Sequence, residues 1–195
     1  MILQKFALFP HSEETTQLYM KTTDDVVKNK EKVELKTLEK VNLETYFNLF
    51  SCLKWKKYVG VESVYLRLKL NGIVKVKIDH LQVKDGDVER HGVLDEEIQS
   101  DGMEYVTSNE VALPEEGMLG VTIEAVSEAV LYEVDFSTGQ TDLEENDICI
   151  GIGICTFKRE KYVERNMNLL KEGILNNPAA EAYGHIKICI SDNAG

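Results

Sequence analysis

The chain has 195 residues and a formal net charge of -12 at pH 7. That excess of carboxylates excludes broad non-specific nucleic-acid binding, which depends on Lys and Arg neutralising phosphates. With 43% apolar and 29% charged residues the composition is that of a globular protein, and no apolar run approaches the roughly 20 residues of a membrane-spanning helix.

The length allows one large domain or two modest ones. Strands are expected first near 2–9 and 33–37. Met1–Pro10 is too short, and has no basic residues ahead of its apolar part, to act as a signal peptide, so a cytoplasmic location is expected. An aromatic-rich segment follows, with Tyr46, Phe47, Phe50, Trp55 and Tyr58 beside Lys54, Lys56 and Lys57. Aromatic faces can stack on sugars, although large rings more often fill cores or interfaces. Tyr46 and Trp55 are the candidate glycan contacts of this stretch.

Tyr65–Ile78 alternates apolar and basic residues around Asn71-Gly72 and reads as a hairpin. A two-residue turn would put Leu66, Leu68 and Leu70 on the face carrying Lys75 and Lys77, because side chains alternate strictly along a strand. A three-residue loop with Gly72 left-handed instead pairs Leu68 with Val74 and Leu66 with Val76. It also sets Arg67 opposite Lys75, an unfavourable pairing that calls for a nearby anion, most simply Asp or Glu of a neighbouring strand. Further strands are expected at 103–107, 118–126 and 129–136. Short strands separated by polar turns predict a two-sheet sandwich over residues 1–143.

Gln140–Asp147 is polar and acidic and marks a domain boundary. From 147 to 195 the pattern becomes βαβ. An apolar strand ends at Thr156, and Val163, Met167, Leu170 and Ile174 fall at helical spacing. Asn176-Asn177-Pro178 then stops the helix, and a second strand, Ile186–Ile190, leads to Asp192. Gly151-x-Gly153 lacks the third glycine of a dinucleotide fingerprint, since Thr156 stands there, and both glycines lie within the strand rather than after it. This speaks against a small NAD-binding regulator. Thr156-Phe157-Lys158-Arg159 is better placed, at the strand end where open α/β sheets bind ligands. There a turn can flank a nucleoside, Arg159 can meet phosphate charge, and Asp192 can accept hydrogen bonds from a base or ribose. The same residues also fit a plain solvated strand end.

Cys52, Cys149, Cys155 and Cys189 show no CxxC spacing and are expected to be core thiols, with no zinc site. His11, His80, His91 and His185 are scattered, and no Ser/His/Asp arrangement can be argued.

Ile152–Arg159, the helix after it and Ile188–Asn193 resemble the start of a family 2 glycosyltransferase with the GT-A fold. Cys155 and Lys158 replace the usual proline and asparagine of its first motif. Leu3–Pro10 with Leu18-Tyr19, Thr45–Phe50, Trp55–Lys57 and Val64–Leu68 resemble the opening of polymerising galactofuranosyltransferases of the mycobacterial type. The resemblance implies a jelly-roll-like β-sandwich followed by the first βαβ unit of a GT-A nucleotide-binding domain. It implies a UDP-sugar donor, UDP-galactofuranose, and a growing cell-surface glycan as acceptor. Thr156 and Phe157 would flank the uridine, Arg159 would contact nucleotide or phosphates, and Asp192 would hold the uracil. Such enzymes use Mn²⁺ or Mg²⁺ and a carboxylate base, both lying beyond Gly195 in the resemblance, so this chain alone is expected to be inactive and to bind no metal. A homo-oligomer, peripheral attachment to the inner face of the cell membrane and no nucleic-acid partner are expected. The competing reading makes the sandwich a carbohydrate-binding or oligomerisation module without catalysis.

Overall fold

The computed structural model describes residues 1–8, 15–23, 26–28, 31–143, 149–178 and 185–192. The chain divides into two compact units, Met1–Glu144 and Glu145–Gly195. Positions 144–147 of the acidic boundary, His11 and the side chain of Cys149 lie outside the described residues.

The first unit begins with β1 (Ile2–Lys5), the one-turn helix α1 (Thr16–Tyr19), β2 (Lys21–Thr22), β3 (Val27–Lys28), β4 (Val33–Leu35), β5 (Lys40–Asn42) and β6 (Phe50–Ser51). Helix α2 (Cys52–Val59) follows, then β7 (Ser63–Lys84), β8 (Asp87–Thr107), β9 (Val111–Ala112), β10 (Met118–Ala125) and β11 (Ala129–Ser137). β7 is the spine. β8 runs antiparallel along it from Arg67 to Lys84 and β9 pairs with its first two residues, while β10 and then β11 run antiparallel along its other side, pairing with 81–74 and 71–65 respectively. β5, β6 and β2 extend the half that holds β10, and β4, β3 and β1 the half that holds β11.

Apolar residues alternate in one phase along β7 from Val64 to Ile78. Val64, Leu66, Leu68, Leu70, Val74, Val76 and Ile78 are fully buried, and Arg67, Lys69, Lys75 and Lys77 point the other way. One face of the sheet is thus buried throughout, which requires the sheet to fold over itself. Phe50 and Phe136 show that it does. Phe50 pairs with Leu119 at the start of β10, and Phe136 lies near the far end of β11. On a flat path residues 119 and 136 would sit roughly 55 Å apart, yet the rings of Phe50 and Phe136 are 4.7 Å apart. The long strands bend where β7 carries Gly72: β8 shifts register there, and the β10–β11 path breaks between 125 and 129. The result is a β-sandwich whose two layers share bent strands.

The expected hairpin at Asn71-Gly72 is therefore corrected. β7 passes straight through it, pairing Leu68 with Val134 and Val106, and Val76 with Ile123. The three-residue loop would pair Leu68 with Val74 and Leu66 with Val76, but β8, β10 and β11 supply those partners instead, so both halves of β7 are paired without folding back on each other. The expected left-handed Gly72 is present (φ +113°), as a bulge against Glu128 and Ala129. The reversal comes instead at Asp85-Gly86, both at positive φ, as a tight two-residue hairpin turn demands. The basic face has the carboxylate partners expected of it: Arg67 with Asp135 at 2.8 Å, Lys69 with Glu133 at 3.8 Å, and Lys75 and Lys77 with Asp95 at 3.0 and 3.7 Å.

In the second unit β12 (Cys149–Thr156) pairs in parallel with β13 (His185–Asp192), and α3 (Glu160–Leu170) lies between them in sequence, closing in a wide turn over Lys171–Leu175. Val163, Met167 and Leu170 are the least exposed positions of the helix, while Ile174 lies in the exposed last turn. Ile152, Ile154, Ile186 and Ile188 are half-covered, and the alternate positions Gly151, Gly153, Cys155, Lys187 and Cys189 are exposed. The core-thiol expectation holds for Cys52 and fails for Cys155 and Cys189. A parallel sheet needs a layer on each face, and two strands with one helix supply one.

Candidate functional site

β12 ends at Thr156 and the chain turns through Phe157, Lys158 and Arg159 into α3. Lys158 takes a left-handed conformation (φ +51°), which reverses the chain sharply enough for the helix to start at Glu160. The carbonyl of Arg159 accepts from the amides of Tyr162 and Val163 at 3.0 and 3.2 Å, anchoring the first turn. Around this turn opens a cleft of about 550 Å³ lined by Cys155, Thr156, Phe157, Arg159, Tyr162, Val163 and Asn166. The Thr156 hydroxyl is buried there without a hydrogen-bond partner among the described residues. Phe157 is largely exposed, with the Lys158 ammonium 5.4 Å from its ring centroid. Asp192 stands in register with Thr156 at the end of β13.

The structure so brings together Thr156, Phe157 and Arg159 in one cleft, with Asp192 beside Thr156 on the neighbouring strand. A guanidinium, an aromatic face, an orphan hydroxyl and a helix N-terminus form a surface suited to a ligand carrying phosphate and a flat ring. Sequence reasoning did not single out Tyr162 and Asn166. Their signal was the helical spacing from Arg159, which puts 159, 162, 163 and 166 on one face.

Tyr46 and Trp55 belong to the first unit and differ in setting. Tyr46 is 80% exposed, edge-on to Phe47 at 5.0 Å, and Phe47 in turn stacks on Tyr19 at 4.6 Å. The turn bearing them is held by the fully buried Asn48, whose amide donates to the carbonyls of Ala7 (3.0 Å) and Tyr19 (2.6 Å) and accepts from the amide of Ala7 at 2.8 Å. Trp55, on α2, is half-buried, parallel to Phe50 at 5.7 Å and packed on the core.

Among the described residues no group of three or more His, Cys, Asp or Glu side chains could hold a metal ion, and no helix is long and apolar enough to cross a membrane.

Among solved structures the chain is similar to the CBM22-1–GH10 modules of xylanase 10B from Clostridium thermocellum, with 14% identity over 77% of this chain and 32% of that one, at a TM-score of 0.37. It is also similar to the CBM22-1 xylan-binding domain of Paenibacillus barcinonensis Xyn10C (11% identity, 72% of this chain and 97% of that, TM-score 0.36). A family two carbohydrate esterase from Cellvibrio japonicus matches at 10% identity over 91% of this chain and 50% of that, TM-score 0.37. No curated protein sequence matches. Residues 3–138, most of the first unit, match the model of the galactofuranosyltransferase 2 N-terminal family, and the chain belongs to that family.

Proposed function

We propose that this chain is the front part of a family 2 glycosyltransferase of GT-A fold that transfers galactofuranose from UDP-galactofuranose to a growing cell-surface glycan. The family supports the transferase reading. The observation that carries the donor site is the cleft at the carboxyl end of β12, with Thr156, Phe157 and Arg159 in its lining and Asp192 in register alongside. In this reading Phe157 and Thr156 flank the uridine, with the orphaned Thr156 hydroxyl taking a polar atom of the nucleoside. Arg159 and the first amides of α3 meet diphosphate charge, and Asp192 accepts from the uracil N–H. Mn²⁺ or Mg²⁺ would neutralise the departing diphosphate in the whole enzyme. A homo-oligomeric enzyme at the inner face of the cell membrane completes the proposal.

Calorimetric titration with UDP and UDP-galactofuranose, with and without Mn²⁺, tests it. Saturable binding is expected, weakened at least tenfold in both Arg159→Ala and Asp192→Asn. No binding by the folded chain, or binding indifferent to both substitutions, overturns the donor site. The second reading, a sandwich acting as an assembly module, draws on the exposed Tyr46 and Phe47. It predicts self-association that Tyr46→Ala abolishes, read by analytical ultracentrifugation.

A further inference from the structure

Among the charges on the outward face of the sandwich lies the ring of Tyr105. Tyr105, on β8, lies across the neighbouring strand β7. The Arg67 guanidinium is 4.3 Å from its ring centroid and the Lys69 ammonium 5.6 Å. The neighbouring Glu133 carboxylate on β11 holds its phenol above the ordinary tyrosine value. A ring that starts on one strand and covers cations of the next lies along the sheet. Its position is set from below as well: Arg67 is itself fixed by three contacts to the buried carboxylate of Asp135 at 2.8 to 3.1 Å. The residue nevertheless remains 44% exposed.

Beside the ring opens a cleft of about 550 Å³ whose lining adds Glu96, Glu97, Gln99, Thr107 and Asn109. Asn109 donates its backbone and side-chain amides to the two oxygens of Glu96 at 2.9 and 2.6 Å, and Gln99 donates to Asp101 at 3.1 Å. Glu96, Asn109 and Gln99 are therefore positioned rather than free to turn. An aromatic face flanked by planar carboxylate and amide groups complements a sugar ring, which offers an apolar C–H face to stack and hydroxyl pairs to hydrogen-bond. Carboxylates in the lining and the net charge of -12 disfavour an anionic ligand. The polar walls disfavour an apolar one.

We infer that the Tyr105 cleft is a binding subsite for a neutral oligosaccharide, stacked on the ring and hydrogen-bonded to Glu97, Gln99 and Asn109. This deepens the acceptor side of the transferase reading and rests on it for the choice of a galactan probe. It also moves glycan contact away from Trp55, which packs on Phe50, to a face of the sheet.

The test is a two-dimensional NMR titration of the whole 15N-labelled chain with a galactofuranose hexasaccharide, with cellohexaose in parallel. Saturable shifts are expected at the amides of Gln99, Tyr105, Thr107 and Asn109 with the galactofuranose probe. Tyr105→Ala should lose at least tenfold in affinity, Tyr105→Phe should stay within threefold, and Tyr46→Ala should bind as the parent does. Absence of saturable shifts at those amides with either oligosaccharide overturns the inference, as does unchanged affinity in a folded Tyr105→Ala. Should that variant unfold, the shift map of the unaltered chain decides alone. UDP added to the same sample reports on the cleft at Thr156, so the donor proposal and this one succeed or fail separately.

Discussion

Gly72 is the residue on which the sandwich turns. A Cβ there would lie 2.5 Å from the Glu128 carbonyl oxygen and 2.8 Å from the Ala129 Cα, at a φ of +113° that L-residues rarely adopt. Both neighbours are backbone, so neither can swing aside. Gly72→Ala is expected to cost about 3 kcal/mol, from left-handed strain and overpacking together, read as a lower urea midpoint. Cys52 makes a second prediction at this scale. Burial pushes its thiol up to about 11, against roughly 8.5 in an unfolded chain. It should stay unalkylated by iodoacetamide at pH 8 in the native protein, while exposed Cys155 and Cys189 react. Because the folded value is the higher one, this group's contribution to stability is complete below about pH 8.5 and is lost as pH rises toward 11. Modification of Cys52 as fast as of Cys155 would contradict the packing of α2 on the core.

Among the elements, the turn between β5 and β6 shows how a buried polar side chain can place exposed ones. Asn48 is fully buried and spends its amide on Ala7 and Tyr19, and Thr45 donates to Tyr19 at 2.7 Å. Removing the Asn48 amide takes this partner from the N–H and carbonyl of Ala7 and leaves the Tyr19 carbonyl with Thr45 alone of the two donors. Asn48→Ala is therefore expected to destabilise by about 2 kcal/mol and to speed hydrogen exchange at 45–49, with β7 unaffected at equal native population. The elements were unequally legible. Apolar alternation in the 118–126 and 129–136 segments, and the stripe Val163, Met167 and Leu170, appear in the structure where the pattern puts them. β8 largely escaped notice. Only 103–107 of its 21 residues were expected as strand, because an edge strand that faces solvent over most of its length carries acidic residues instead of an apolar alternation.

At the scale of the whole molecule the two units have different means of support. The first folds its sheet over a continuous core in which Phe50, Leu68, Ile78, Leu119, Ile123 and Phe136 are fully buried. The second covers one face of a two-stranded parallel sheet and leaves the other open. Amides of β12 and β13 should therefore exchange on the order of 100-fold faster than those of central β7, measured by mass spectrometry on the intact chain. Equal protection in the two units would contradict this account. What sequence alone determined here is what depends on neighbours along the chain: the strand periods, the helical stripe, the left-handed glycine and the placement of Thr156, Phe157 and Arg159 around one turn. Asn71-Gly72 carries a local turn signal, yet the chain reverses at Asp85-Gly86, and only the tertiary structure decided this, because β8, β10 and β11 supply partners for β7 on both sides of Gly72. The Tyr105 cleft was decided the same way. Its ring, cations and carboxylate come from three strands far apart in sequence, and strand pairing is what brings them within reach of one another.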